Sequence, residues 1–167
     1  MTTVDVTTPS DREIKVTRIF EAPARLVFDF HTKAEHVQRW MLGPSGWSMP
    51  ICEIDLRVGG TYRHVWRSDE NGAEFGFRGT YREISAPTRL VHTELMDPLP
   101  AGENTANPDE EALCTLTFVE HGGRTTLTTT MLFSSPEARD QALQSGMTDG
   151  MSISYDRLEA LMNEKVG

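Results

Sequence analysis

The chain has 167 residues, a formal net charge of −9 at pH 7 and a sequence pI near 5.0. This length suits one domain with a core and a modest internal cavity. Lysine and arginine are nowhere concentrated, and no segment is apolar enough to cross a bilayer, so neither nucleic acid nor a membrane is an expected partner.

The first predicted elements are a tail, a strand and two short helices. Residues 1–11 form a polar, threonine-rich tail that lacks the features of a signal peptide, so we expect a soluble, cytoplasmic protein. The single domain is expected to cover residues 12–163. Alternating apolar side chains predict a strand over residues 12–20. Pro23 permits a short helix to begin, and a second helix is predicted over residues 33–40.

From Trp47 onward, apolar residues recur at every second position, which is the period of a strand with one buried face. Six strands follow, joined largely by hairpins. The Asn71-Gly72 pair marks one hairpin because both residues accept positive φ at low cost, and Gly122-Gly123 marks another. The connection at 97–110 is long for one domain, and it is predicted to be a lid, a mobile loop or a loop without functional consequence.

The end of the chain predicts one long helix over residues 135–162. Its apolar face consists of Leu143, Met147, Met151, Leu158 and Met162, spaced four or seven residues apart. Gly146 and Gly150 lie within or beside this face, and each costs a helix interior about 1 kcal/mol relative to alanine. Glycines among methionines indicate a face that leaves space for a pocket. Alternatively, they allow close backbone approach, or the helix starts later.

This order of elements predicts an α+β fold. An antiparallel sheet must cover its apolar face, and the last helix is the large apolar element available for that purpose. We therefore expect a helix-grip arrangement, in which a curved antiparallel sheet of about seven strands wraps around a long C-terminal helix. Two short helices follow the first strand.

Several segments carry a recognisable pattern: Arg39-Trp40 with Gly43-Pro44, residues 53–62, residues 77–84 with Pro87, residues 89–91, and residues 154–161. They resemble the START-like (SRPBCC) superfamily, in its branch named for the activator-of-Hsp90-ATPase homologue. The resemblance implies the helix-grip fold with a hydrophobic cavity between helix and sheet. Its superfamily includes lipid and hormone carriers and aromatase/cyclase enzymes. The co-chaperone that names the branch has a further N-terminal domain without a counterpart here, so a chaperone partner is not expected.

If the strand phases hold, aromatic side chains of the central strands face the terminal helix. The predicted ligand-binding residues are Trp40, Tyr62, His64, Trp66, Phe75, Phe77, Tyr81, Leu143, Met147, Met151 and Ser154. An apolar, aromatic-lined space with a few polar groups is typical of a small-molecule site, whereas a filled core is the alternative. We predict binding of a small apolar or aromatic molecule, by a monomer or a homodimer.

His64 is the one candidate catalytic residue, since an imidazole with a pKa of about 6.5 suits proton transfer. The alternative functions are a cyclase or hydrolase on polyketide-like substrates and a chaperone-associated stress-response protein. His92 and Glu94 share one face of their strand and could form a base with an orienting carboxylate. However, Val91 and Leu95 on the other face favour an outward orientation for this pair.

The sequence predicts neither a metal site nor a cofactor. His31 and His36 are five positions apart, which misaligns them on a helix, and no paired-cysteine spacing is present. Gly59-Gly60 lacks both the P-loop lysine and the dinucleotide-binding spacing.

Overall fold

The computed structural model describes residues 4–96 and 110–166. Its strands are β1 (Asp5–Thr7), β2 (Glu13–Phe20), β3 (Trp47–Ile54), β4 (Thr61–Ser68), β5 (Glu74–Ser85), β6 (Arg89–Met96), β7 (Ala112–His121) and β8 (Arg124–Leu132). Its helices are α1 (Ala24–Thr32), α2 (Ala34–Trp40), α3 (Pro136–Gln144) and α4 (Met147–Val166). The α+β class is therefore confirmed.

The sheet has eight strands in the described chain, in the order β1-β2-β8-β7-β6-β5-β4-β3, and each neighbouring pair is antiparallel. About seven strands were predicted. The additional one is β1, which pairs Asp5 with Thr17 and Thr7 with Lys15 at the edge of the sheet. Residues 5–7 lie in the segment predicted as a tail, where three polar or β-branched residues give too short a pattern to identify a strand.

Both predicted glycine hairpins are present. Gly72 has a φ of 72°, and Gly122 and Gly123 have φ values of 61° and 78°. These values lie in the left-handed region, which glycine adopts without the steric cost of a Cβ atom. The turns connect β4 to β5 and β7 to β8, so the residues of these turns determine two of the neighbouring strand pairs.

The two short helices also follow the prediction. Pro23 precedes α1, and the backbone N–H of Val27 donates to its carbonyl at 3.2 Å. Lys33 has an extended backbone and separates α1 from α2. Val27 and Phe30 of α1 are completely buried, so this helix closes one part of the inner face of the sheet.

The prediction of one continuous helix over residues 135–162 is wrong, because the helix is interrupted at Gly146. This glycine has a φ of 83°, and the Ser145 N–H donates to the carbonyls of Gln141 and Ala142. A left-handed glycine directly after the last helical turn is a common way to end a helix. The chain therefore forms α3 and a separate α4, which begins at Met147.

The closed part of the core lies under the C-terminal half of α4. Leu158 and Met162 are at most 1% exposed and pack in one cluster with Phe20 and Leu127 of the sheet. Arg18 of β2 is only 2% exposed, and it donates to Asp156 at 2.9 Å and lies 3.5 Å from Glu159. This half of α4 is thus fixed to the sheet by both apolar and charged contacts.

No helix in the described ranges is both long and apolar enough to cross a membrane. The predicted lid at residues 97–110 falls almost entirely outside those ranges.

Candidate functional site

The inner face of the sheet carries an aromatic group on β4 and β5 that the closed core does not include. Trp66 stacks on Phe75 with ring centroids 5.3 Å apart, and the Phe77 ring lies 6.0 Å from Trp66. Phe75 is 42% exposed, and the other two rings are partly exposed. At this end of the sheet, large apolar side chains are therefore incompletely covered.

The loop after α2 joins this aromatic group to α4. The Trp66 indole N–H donates to the Met41 carbonyl at 2.6 Å. From the other side, Arg157 donates to the carbonyls of Trp40 and Gly43 at 3.0 Å each, and the Ser154 hydroxyl accepts from the Gly43 N–H at 2.8 Å. One short loop thus fixes the middle of α4 relative to the aromatic end of the sheet.

The N-terminal half of α4 differs from its buried C-terminal half. Met147 and Met151 are partly buried, as is Leu143 on α3, and all three pack on the edge of the core. Gly150 lies between the two methionines, and a Cβ atom built on it would meet no atom within 4 Å. Gly150 therefore does not serve close backbone approach, which was one interpretation of the two glycines. The interpretation that the helix starts later holds for Gly146, since α4 begins at Met147.

Tyr62 occupies the centre of the inner face. Its hydroxyl donates to the Thr93 carbonyl at 2.7 Å, and the side chain is only 4% exposed. Its ring lies against Gly79, where an added Cβ would be 2.7 Å from the Tyr62 ring and 1.9 Å from the Thr93 carbonyl oxygen. Glycine is therefore required at position 79 so that Tyr62 can cross β5 and reach β6.

His92 and Glu94 face inward, so the outward orientation favoured by the sequence is wrong. The His92 ring is 4.9 Å from the Tyr62 ring. In the pairing of β6 with β7, His92 lies opposite Cys114, which is buried in the core cluster. Glu94 is on the same face, two residues along β6. Burial raises the pKa of Glu94 from 4.5 to about 7.

The error arose because the outer face of β6 is buried as well. Val91 and Leu95 are buried on the outer face, so an apolar pair does not identify the inner face of this strand. Leu90, which has the same parity as His92 and Glu94, belongs to the core cluster. The decisive signal is the pairing with β7, where Leu90 lies opposite Leu116 and His92 opposite Cys114, both of which are core residues.

Two histidines lie against Tyr62, and a third lies on α1. The His64 and His92 rings are 5.0 Å and 4.9 Å from the Tyr62 ring, whereas the His31 ring packs on Trp40 and Phe118 at 4.8 Å and 5.5 Å. Burial lowers the pKa of His31 and of His64 to about 4, and it also lowers the pKa of His92. All three imidazoles are therefore neutral at pH 7.

Two of these histidines have a defined tautomer. His31 Nδ1 is 2.8 Å from the Val27 carbonyl, and His92 Nδ1 is 3.0 Å from the Thr93 carbonyl. A carbonyl oxygen can only accept, so in each neutral ring the proton is on Nδ1 and Nε2 is an acceptor. Within the described residues, the buried Nε2 atoms of His31 and His64 have no hydrogen-bond partner.

Comparison with known families gives a direct result. The sequence profile described as "Activator of Hsp90 ATPase homolog 1-like protein" matches residues 21–163. The chain belongs to this family. Among curated proteins, no sequence matches it.

Solved structures share the fold of this AHSA1-like chain over nearly its whole length. A Rhodobacter sphaeroides protein of 26% identity has a TM-score of 0.85 and covers 97% of this chain and 99% of its own. Mycobacterium smegmatis protein Ms6760 has 23% identity, a TM-score of 0.81 and coverages of 95% and 96%. An AHSA1-like protein from Aeromonas hydrophila has 23% identity, a TM-score of 0.67 and coverages of 88% and 93%.

The other predicted site residues of the AHSA1-like chain are already engaged in the fold. Trp40 is 1% exposed and donates its indole N–H to the Phe30 carbonyl at 2.8 Å. Tyr81 is 3% exposed and lies 5.6 Å from Tyr62, ring to ring. Ser154 is 5% exposed and bonds Gly43. These three side chains are therefore committed to contacts within the fold and expose little surface.

The outer face of the sheet carries a different feature of the AHSA1-like chain, an open cleft of about 670 Å³. The register aligns Glu53, Arg63, Arg78 and Leu95 across it. Tyr62 also lines this cleft, whereas Trp66, Phe75 and Phe77 do not. Within the described ranges, no three His, Cys, Asp or Glu side chains are placed to hold a metal ion.

Proposed function

We propose that this protein binds a small, mostly apolar molecule between the inner face of its sheet and the N-terminal half of α4. In this proposal the sheet grips α4 closely only along the buried C-terminal half of the helix. The other half, with Met147 and Met151, would form the wall opposite Trp66 and Phe77.

One observation carries the proposal, namely that inward-facing side chains at this end of the fold keep accessible surface. His64, His92 and Glu94 all lie on the inner face, yet each is only partly buried. The same holds for Phe77 and Met151. An incompletely covered inner surface that combines apolar side chains with a few polar groups is the usual lining of a small-molecule site.

The polar atoms support the same conclusion. A buried hydrogen-bonding group without a partner costs roughly 1–3 kcal/mol. Nε2 of His64, whose ring lies against Tyr62, is such a group within the described residues, and it favours a molecule, or water, that satisfies it. An interior built only for stability would place apolar residues there.

The neutral fluorescent probe Nile red tests the proposal. It should gain emission with the native protein, and Met147→Trp should weaken its binding at least tenfold because the larger ring occupies the space. Ile153→Trp is the matched control, since Ile153 lies on the same helix and is 40% exposed. That variant should bind Nile red within twofold of the native protein.

Circular dichroism and thermal unfolding should first show that both variants are folded. A probe that ignores the native protein contradicts the proposal, and so does equal binding by the Met147→Trp variant.

A further inference from the structure

The polar groups at the end of the proposed space include two imidazoles, those of His64 and His92, whose rings lie 5.0 Å and 4.9 Å from the Tyr62 ring. The His31 ring packs instead on Trp40 and Phe118. Nε2 of His92 is a hydrogen-bond acceptor, since the proton of this neutral ring is on Nδ1. The hydroxyl of Tyr62 does not serve this acceptor, since it donates to the Thr93 carbonyl.

His92 is well placed to meet a ligand. Its Nδ1–H donates to the Thr93 carbonyl at 3.0 Å, so Nε2 of the neutral ring is an acceptor. Its side chain is partly exposed, whereas His31 is 8% exposed and its Nε2 is enclosed. His92 is therefore the more accessible of these two imidazoles.

His64 adds a second polar atom at the same end of the space. Its Nε2 is buried without a hydrogen-bond partner in the described part of the chain. The ring lies between the aromatic group and Tyr62, 6.0 Å from the Trp66 ring and 5.0 Å from the Tyr62 ring. The polar end is thus continuous with the apolar wall.

We infer that the ligand is an uncharged, largely apolar molecule that carries a hydroxyl group, and that this hydroxyl donates a hydrogen bond to Nε2 of His92. The inference rests on the proposed function and adds to it the chemistry of the polar end. A hydroxyl fits because it can donate to the Nε2 acceptor of His92. It can also accept in return from a protonated Glu94, two residues along β6.

Charged ligands fit this end of the space poorly. Burial keeps all three imidazoles neutral, so no cation is available there to pair with a carboxylate or phosphate. An apolar ketone or ether has no hydrogen to donate to Nε2 of His92. Both mismatches would leave the His92 nitrogen unsatisfied after the ligand has displaced water.

Two probes of nearly equal shape test the inference, 2-naphthol and 2-methoxynaphthalene. Only the first can donate a hydrogen bond. At pH 7, calorimetric titration of the native protein should give about tenfold tighter binding of 2-naphthol. In the His92→Phe variant, which keeps a planar ring but has no acceptor, the two probes should bind within twofold of each other.

His121→Phe is the matched control, since His121 is exposed at the end of β7. It should retain the native preference for 2-naphthol. A second measurement does not depend on any variant. In nitrogen-15 NMR of the native protein, 2-naphthol should shift the His92 Nε2 resonance, and 2-methoxynaphthalene should not.

The outcomes separate the two claims. If both probes bind the native protein equally, the hydroxyl inference is overturned while small-molecule binding stands. The same holds if His92→Phe keeps the preference for 2-naphthol, or if only His121→Phe loses it. An unchanged His92 Nε2 resonance with bound 2-naphthol also overturns it. If neither probe binds, the proposed function fails first.

Discussion

The raised pKa of Glu94 makes the stability of the folded protein depend on pH. Burial raises its pKa from 4.5 to about 7, and Tyr62 and Cys114 face it without supplying a cation. Between these two values the folded state binds a proton that the unfolded state has released. Glu94 therefore lowers stability as the pH rises through this window.

The buried histidines act in the opposite direction. The pKa values of His31 and His64 are lowered from 6.5 to about 4, so the unfolded state binds more protons between these values. Their contribution to stability is lost as the pH falls. Glu94 offsets part of that loss in the native protein.

Replacing Glu94 with glutamine removes the stability that Glu94 gains by binding a proton as the pH falls. We expect the free energy of unfolding of Glu94→Gln to fall more steeply on acidification from pH 6.5 to 4.5, by up to about 1.4 kcal/mol per pH unit. Urea unfolding at several pH values measures this slope for both proteins. Parallel curves would show that Glu94 is not a buried, protonated group.

The break between α3 and α4 belongs to the scale of elements, and two glycines four residues apart test it. Gly150 lies inside α4 with open space around it, so Gly150→Ala should raise the free energy of unfolding by about 0.5–1 kcal/mol. Gly146 has a φ of 83°. Gly146→Ala should therefore destabilise the protein, by about 1 kcal/mol. Chemical denaturation distinguishes them, and equal effects would mean that the helix is continuous.

The same elements show how far sequence reasoning reaches. The hairpins at Asn71-Gly72 and Gly122-Gly123 were predicted because turn chemistry is local. The helix break was missed because the apolar period runs through it from Leu143 to Met147, although a Ser145-Gly146 pair is a common helix end. On β6, burial on both faces removed the alternation that identifies an inner side, and His92 was misassigned.

For the whole molecule, the sequence was sufficient for the class, the two short helices after the first long strand and the family resemblance. It was insufficient for the pairing of β2 with β8 and for the meeting of His64 and His92 at Tyr62. Such contacts join residues far apart in sequence, so they depend on the register of several strands at once. The aromatic group on β4 and β5, by contrast, was visible as a period-two pattern.

The central claim is that a small molecule enters between the sheet and the N-terminal half of α4. The chain's own methionines report on it, since Met147 and Met151 line the proposed space and Met162 lies in the closed core, 1% exposed. Carbon-13 NMR of the methionine methyl groups during a 2-naphthol titration measures both regions together. We predict saturable shifts at Met147 and Met151 with Met162 unchanged, whereas shifts absent from both of the first two residues would contradict the account.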